Sequence, residues 1–178
     1  MAAAPVEGVP LLWMTGTGLS QEPSRSATLA ALRRRSRRAH TVFDLDYRPM
    51  LWDEDTTPFY REAAAYATVL VGNREEWAVL GDAPSGIDLA IEKLGPEGVR
   101  GTRGGETAVV PPIEVEVING LGAGDAFGGA LCHGLLAGWE LERLLRFANA
   151  AGALVASRLG CADEMPSLAE VEELLCAA

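Results

Sequence analysis

Three cysteines, Cys132, Cys161 and Cys176, and two histidines, His40 and His133, are all that the 178 residues offer to a disulfide or a soft metal. The cysteines are odd in number and widely scattered, with no CxxC pair. That excludes a disulfide scaffold and reads as reduced, small hydrophobic residues of a cytosolic protein. Neither histidine stands in a ligand spacing such as HxxxH, and the adjacent Cys132 and His133 point to different sides of a helix, so no zinc site is expected. No apolar run reaches the ~18 to 20 residues that a membrane span needs. Met1 to Pro10 carries no positive segment ahead of an apolar stretch, so no secretory leader is expected and a cytoplasmic location is the default. Positive charge is scarce as well. With 25 acidic and 15 basic residues the net charge is −10, which argues against general affinity for nucleic acid. The one basic run, Arg33-Arg34-Arg35-Ser36-Arg37-Arg38, reads as the solvated C-terminal end of a helix, where cations suit the macrodipole, in preference to a polyanion patch.

What remains is the composition of a globular domain: 48% apolar and 22% charged residues. Residues 1–178 have room for one domain with a real core. Periods alternate along the chain. Leu11 to Met14 reads as a buried strand, entering the loop Thr15-Gly16-Thr17-Gly18. A helix is expected from Pro23 to about Arg38, a strand at Thr41 to Asp44, a helix from Phe59 to Tyr66 and a strand at Thr68 to Val71. Arg74 to Leu80 is a short helix, and Leu89 to Ile91 another strand. Short strands are then expected at Gly98-Val99, Ala108 to Val110 and Val115 to Val117. Helices follow at Asp125 to Gly138 and Leu141 to Leu159, and Ser167-Leu168-Ala169-Glu170 is a capping box opening a last helix to Cys176. Strands alternating with helices imply an α/β domain around a mainly parallel sheet. The stretch from Gly81 to Asp88 is short for a parallel crossover, which takes a dozen or more residues.

The stretch richest in chemistry is Asn119-Gly120-Leu121-Gly122-Ala123-Gly124-Asp125-Ala126-Phe127-Gly128-Gly129-Ala130. Small residues at 122–124 let a loop pass close to a ligand, and the helix behind aims free N–H groups at it. That favours an anion, phosphate above all. A carboxylate there is repelled by an anion unless Asp125 is the general base that takes a proton from an attacking hydroxyl. A plain Gly-rich turn, with Asp125 as an ordinary first-turn acid, accounts equally well for the spacing. The lack of GK[ST] excludes a P-loop, and the dinucleotide GxGxxG is absent too.

The GAGDAFGGAL segment (Gly122 to Leu131), followed by Phe147-Ala148-Asn149-Ala150-Ala151-Gly152-Ala153, resembles the C-terminal signature of the ribokinase-like (PfkB) carbohydrate kinases. Asn73-Arg74-Glu75-Glu76 matches that family's NxxE motif and Lys93-Leu94-Gly95-Pro96-Glu97-Gly98 its KxGxxG nucleotide loop, in the right order. Gly16 to Ser20, Asp44-Leu45-Asp46-Tyr47-Arg48-Pro49 with Leu51-Trp52, and Asn119-Gly120-Leu121 are similar to one branch in particular, which phosphorylates 5-dehydro-2-deoxygluconate in inositol catabolism.

The resemblance implies a three-layer α/β fold, with helices on both faces of the sheet, and a reaction using ATP and Mg²⁺. It implies Asp125 as catalytic base and the N–H groups of Gly122, Ala123 and Gly124 as an anion hole. Asn73 and Glu76 are implied to organise Mg²⁺ and phosphates, largely through water; Lys93, Gly95 and Gly98 to line the nucleotide; and Asn149 to lie near the adenine. Arg48 is implied as a contact to the substrate's acid group or to phosphate. Read without the resemblance, Glu76 and Lys93 are also surface charges, Asn149 a packing residue, and Arg48 a partner of Asp44 or Asp46.

The resemblance runs from about Leu11 to Leu175 and covers only the C-terminal part of the family's fold. The N-terminal strands, the lid and most sugar-binding residues have no counterpart, the Gly81 to Asp88 connection looks like a deleted crossover helix, and Glu92 charges a strand that the family keeps apolar. Two functions follow as expectations. One is a kinase for a terminal hydroxyl of a keto-sugar acid, completed as a homo-oligomer or by a partner chain. The other is a non-catalytic nucleotide-binding or interaction module.

Overall fold

The computed structural model describes residues 6–52 and 55–177. The first half of the Met1 to Pro10 expectation therefore lies outside the described residues. The chain divides into two compact units, Met1–Lys93 with Thr102–Glu106, and Leu94–Gly101 with Thr107–Ala178.

The first unit holds four strands, β1 (Leu11–Thr15), β2 (His40–Asp44), β3 (Val69–Asn73) and β4 (Leu89–Lys93), with helices α1 (Ser24–Arg35), α2 (Thr57–Ala65) and α3 (Arg74–Leu80) between them. The strands pair in parallel in sequence order, Leu11 with His40, Val42 with Val69, and Val69 with Leu89. Strands buried on both sides read as near-continuous apolar runs, which is why residues 41–43 and 69–71 show no alternation. On one side, Phe43 and Leu70 join Leu29, Leu32, Tyr60, Ala63 and Leu80 of the helices in one core. On the other, Val42, Val69, Leu89 and Ile91 are equally buried. Both faces of the sheet are therefore buried.

Three expectations need correcting here. Helix α1 stops at Arg35 because Ser36 and Arg37 adopt left-handed backbone, φ 50° and 62°; a side chain bearing a Cβ cannot continue a helix from there. Arg35, counted with the solvated basic run, is fully buried. Its guanidinium donates to the carbonyl oxygens of Val6 at 2.9 Å and Val9 at 2.6 Å and to the Thr41 hydroxyl at 3.2 Å. Nor is Gly81 to Asp88 the whole crossover from β3 to β4. Residues 74–88, with α3 inside them, reach a full five-residue parallel register from Val69–Leu89 to Asn73–Lys93. Glu92 lies 3.9 Å from Arg74, so its charge is paired.

Strand β5 (Val99–Arg103) begins and strand β6 (Glu106–Val110) ends in the second unit, and the Gly104-Gly105 turn they flank, with φ 57° and 88°, falls in the first. Helices α4 (Ala123–Leu136), α5 (Leu141–Ala156) and α6 (Leu168–Ala177) follow. Ala126, Phe147, Ala150, Ala151, Val155 and Val171 are their shared core. Gly134 lets α4 and α5 approach: a Cβ there would lie 2.4 Å from Leu144 Cδ1. The capping box at Ser167 is formed, with Glu170 Oε2 accepting from the Ser167 N–H at 2.8 Å. The strand expected at Val115 to Val117 is absent; this segment is irregular and Val117 is exposed. Pro111 and Pro112, just upstream, have no N–H to enter a ladder.

Candidate functional site

Asn119 shapes the glycine-rich loop of the second unit. Its Nδ2 donates to the Leu159 carbonyl at 3.0 Å and its Oδ1 accepts from the Leu121 N–H at 3.0 Å. The chain then enters α4 through Gly122, whose φ is 86°. Helix α4 begins at Ala123, two residues ahead of the expected start, so Gly124 and Asp125 occupy its second and third positions. Amides there have no carbonyl one turn earlier within the helix. The Ala123 N–H faces the Gly120 carbonyl at 3.3 Å and is the least free of the expected anion-hole donors. Nothing stands within 4 Å of where a Gly124 Cβ would be. Asp125 is exposed at this opening and also lines a cavity of about 330 Å³ with His133, Phe147 and Met165.

The two glycines predict opposite outcomes. At Gly122 an alanine must hold φ 86° and bring its Cβ to 2.6 Å from Cys161 Sγ; Gly122→Ala should cost ~1–2 kcal/mol. Gly124→Ala, in open helical geometry, should be neutral or stabilising by up to ~1 kcal/mol. Urea unfolding of both variants checks this, and equal losses would refute the assignment of strain to Gly122.

Asn149, half-buried on α5, donates its Nδ2 to the Pro111 carbonyl at 2.9 Å. With Pro111, Pro112, Glu142 and Arg146 it lines a second cavity of about 650 Å³. Gly98 closes a short turn from Gly95 with φ 92° and Gly95 itself has φ 59°. A Cβ on Gly98 would lie 2.1 Å from the Val110 carbonyl oxygen, so only glycine fits against the end of β6.

In the first unit the remaining candidates gather at the C-terminal ends of the parallel strands, where open α/β sheets hold ligands. Asn73 ends β3 and caps α3: its Oδ1 accepts from the Glu76 N–H at 2.9 Å, and Glu76 Oε2 accepts from the Asn73 N–H at 2.7 Å. The NxxE spacing is thus a capping box, which fixes both side chains. Arg48 pairs with Asp46 at 3.1 Å, and Asp46 Oδ2 also accepts from the Thr17 hydroxyl at 2.6 Å. Of the two partners open to it in the sequence, Arg48 takes Asp46.

Lys93 Nζ lies 3.9 Å from Asp44 Oδ1. Burial pushes the Asp44 carboxyl from 3.8 up to about 6, Lys93 pulling it down and Glu76 and Asp46 adding to the rise. Between those two values the folded chain keeps a proton that the unfolded chain has released. The stability Asp44 contributes is therefore full below pH 3.8 and lost as pH rises through about 6. Asp44→Asn should remove that loss, stabilising the chain above pH 7 by up to ~3 kcal/mol. Urea midpoints of both proteins from pH 4 to 8 test it; parallel curves would refute it.

The donor set suits one kind of metal. Among the described residues no three acidic, histidine or cysteine side chains gather as a cage, and the capping box engages one oxygen of each of Asn73 and Glu76. Mg²⁺, which keeps its waters and leans on phosphate oxygens, fits such a site.

A model of the pfkB family carbohydrate kinase matches residues 3–168. The chain belongs to that family. The 5-dehydro-2-deoxygluconokinase of Halalkalibacterium halodurans is 34% identical, over 93% of this chain and 55% of that protein. An uncharacterized sugar kinase from Pyrococcus horikoshii, solved in complex with ATP, is 27% identical with a TM-score of 0.79, over 95% of this chain and 60% of that one. Fructokinase from Vibrio cholerae O395, in fructose, ADP and calcium ion bound form, is 25% identical with a TM-score of 0.81, over 93% and 60%. This pfkB-family chain spans little more than half the length of the curated relatives it matches. Among its described residues no helix is long and apolar enough to cross a membrane.

Sequence reasoning on the pfkB-family motifs left Asp44 and Thr17 without a role beside Lys93 and Asp46. Strand parity was the available signal for Asp44. It aligns with Val71, which shares a face with Asn73, and Asn73 aligns with Lys93.

Proposed function

We propose that this chain carries the phosphoryl-transfer machinery of an ATP-dependent sugar kinase acting on 5-dehydro-2-deoxygluconate or a related keto-sugar acid, in the cytoplasm. The observation that carries the reading is Asp125, exposed in the first turn of α4 just after the Gly122 cap and beside Gly124. An exposed carboxylate beside the first-turn amides of a helix suits one reaction in particular. Asp125 accepts the proton of the sugar's terminal hydroxyl as its oxygen bonds to the γ-phosphorus, and the bond from that phosphorus to the ADP oxygen breaks. The amides of Gly122, Ala123 and Gly124 face the charge on the phosphoryl oxygens. Lys93, Gly95 and Gly98 line the nucleotide, Asn149 serves the adenine end, and Arg48 meets the acid group of the sugar. Bound Mg²⁺ neutralises phosphate charge, and Asn73 and Glu76 would hold it through water. The identities near one third to kinases of this substrate support the choice of sugar.

Coupled ATP turnover by the purified chain, with 5-dehydro-2-deoxygluconate and Mg²⁺, tests the reading. Sugar-dependent ADP release is the expected result. ATP binding without turnover would favour the nucleotide-binding module, and a rise in specific activity with protein concentration would mark an oligomer or partner chain as part of the site.

A further inference from the structure

Lys93 is the chain's only lysine; the other 14 of its 15 basic residues are arginines. A lone ammonium at the C-terminal edge of a parallel sheet is a compact point charge suited to phosphate, where a guanidinium would impose a planar fork. What holds it there is the question. Lys93 ends β4 and Asp44 ends β2, with β3 between them, yet the register puts both on one face with Asn73. The Lys93 side chain is 26% exposed and that of Asp44 17%, with Nζ 3.9 Å from Oδ1. That oxygen is buried and makes no hydrogen bond within the described residues. A buried carboxylate oxygen without a donor is costly. The Asp44 carboxyl takes a hydrogen bond from the Asp46 backbone in the turn after β2, which leaves Oδ1 facing the Lys93 ammonium. An acid stationed behind a lysine restricts where its ammonium swings, as the lysine–glutamate pair does in protein kinases.

We propose that Asp44 is a positioning residue, which holds the ammonium of Lys93 over the end of β3 for the phosphates of a nucleoside triphosphate. The assignment rests on the kinase reading above and adds to it a residue that itself touches no ligand. Binding reduces the outward swing of Lys93 and shields its amine.

The single lysine makes a direct test. An amine acetylating reagent modifies only Lys93 and the N-terminus, and mass spectrometry of the peptide around residue 93 separates the two. In the wild-type chain, ATP with Mg²⁺ should slow acetylation of Lys93 at least fivefold. In Asp44→Asn, folded by circular dichroism, Lys93 should acetylate faster without ATP, and half-protection should need about tenfold more ATP, the size of one charge-assisted contact. Asp44→Glu, which keeps the charge on a longer arm, should recover part of the loss. A purely structural Asp44 would change unfolding midpoints and leave the ATP concentration for half-protection where it was. Equal protection of wild type and Asp44→Asn overturns the Asp44 assignment and leaves the kinase reading intact. A wild-type chain whose Lys93 ATP does not protect overturns both.

Discussion

Asp125→Asn should lower sugar-dependent ATP turnover by ~10²–10⁴-fold, the range a positioned general base contributes, while ATP affinity changes less than twofold. The two halves of that expectation have separate causes. Asparagine keeps the shape of the side chain and cannot take the hydroxyl proton, so the alkoxide must form unaided. The α4 amides remain, and loss of a negative charge beside them leaves an incoming phosphate slightly better received. Stability should move little, because Asp125 is exposed and a first-turn acid contributes only ~0.3–1 kcal/mol to its helix. The check is turnover with sugar and Mg²⁺ alongside ATP binding, on wild type and variant together. A variant with more than a tenth of wild-type turnover would falsify the base assignment. A variant that loses several kcal/mol of stability would return Asp125 to the plain helix-end role that spacing alone left open.

The elements that sequence reading recovers best are those whose signal is local. Strands at residues 41–44 and 68–71 are short runs of β-branched and apolar residues bounded by turns, and they sit within two residues of the observed β2 and β3. The Ser167–Glu170 capping box is local as well, and it formed. Local signals fail where a distant partner decides. Val115 to Val117 alternates as a strand should, but no strand among the described residues pairs with it and the segment stays irregular. Arg35 sits in a run of arginines that looks like solvent-facing charge, and nothing nearby announces that the carbonyls of Val6 and Val9 need its donors. The site divides in the same way. The Gly122 loop and Asp125 are legible because a loop and the helix it opens are contiguous in sequence. The Asn73–Glu76 box is contiguous too, though its capping role is indistinguishable from a metal-organising one until its hydrogen bonds are seen. The Asp44–Lys93 pair joins residues 49 positions apart across an intervening strand, and only the register brings them together.

Arg35→Met should be among the most destabilising single replacements in the first unit, costing about 3 kcal/mol, because several buried acceptors lose their donor at once. Methionine preserves the length and most of the volume, so packing is not the cause. Three segments meet at this guanidinium: the carbonyls of Val6 and Val9, the last turn of α1, and Thr41 at the start of β2. Thr41 in turn accepts through its backbone oxygen from the Thr68 N–H at 2.8 Å, so the loss falls on the entry to two strands. Arg34, one residue earlier, is the internal control. It pairs with Glu7 at 3.0 Å, both side chains about half exposed, and such pairs contribute ~0–1 kcal/mol. Arg34→Met should therefore shift the melting temperature by no more than about 4 °C, and Arg35→Met by roughly 6–12 °C, at 2–4 °C per kcal/mol for a chain of this size. Calorimetry or thermal circular dichroism of the two variants decides. Similar shifts for both would mean that the basic run is solvated throughout and that the buried fork carries no special share of the fold. A large shift for Arg35→Met alone would show a residue outside every motif setting the stability on which the sheet edge, and the groups it presents, depends.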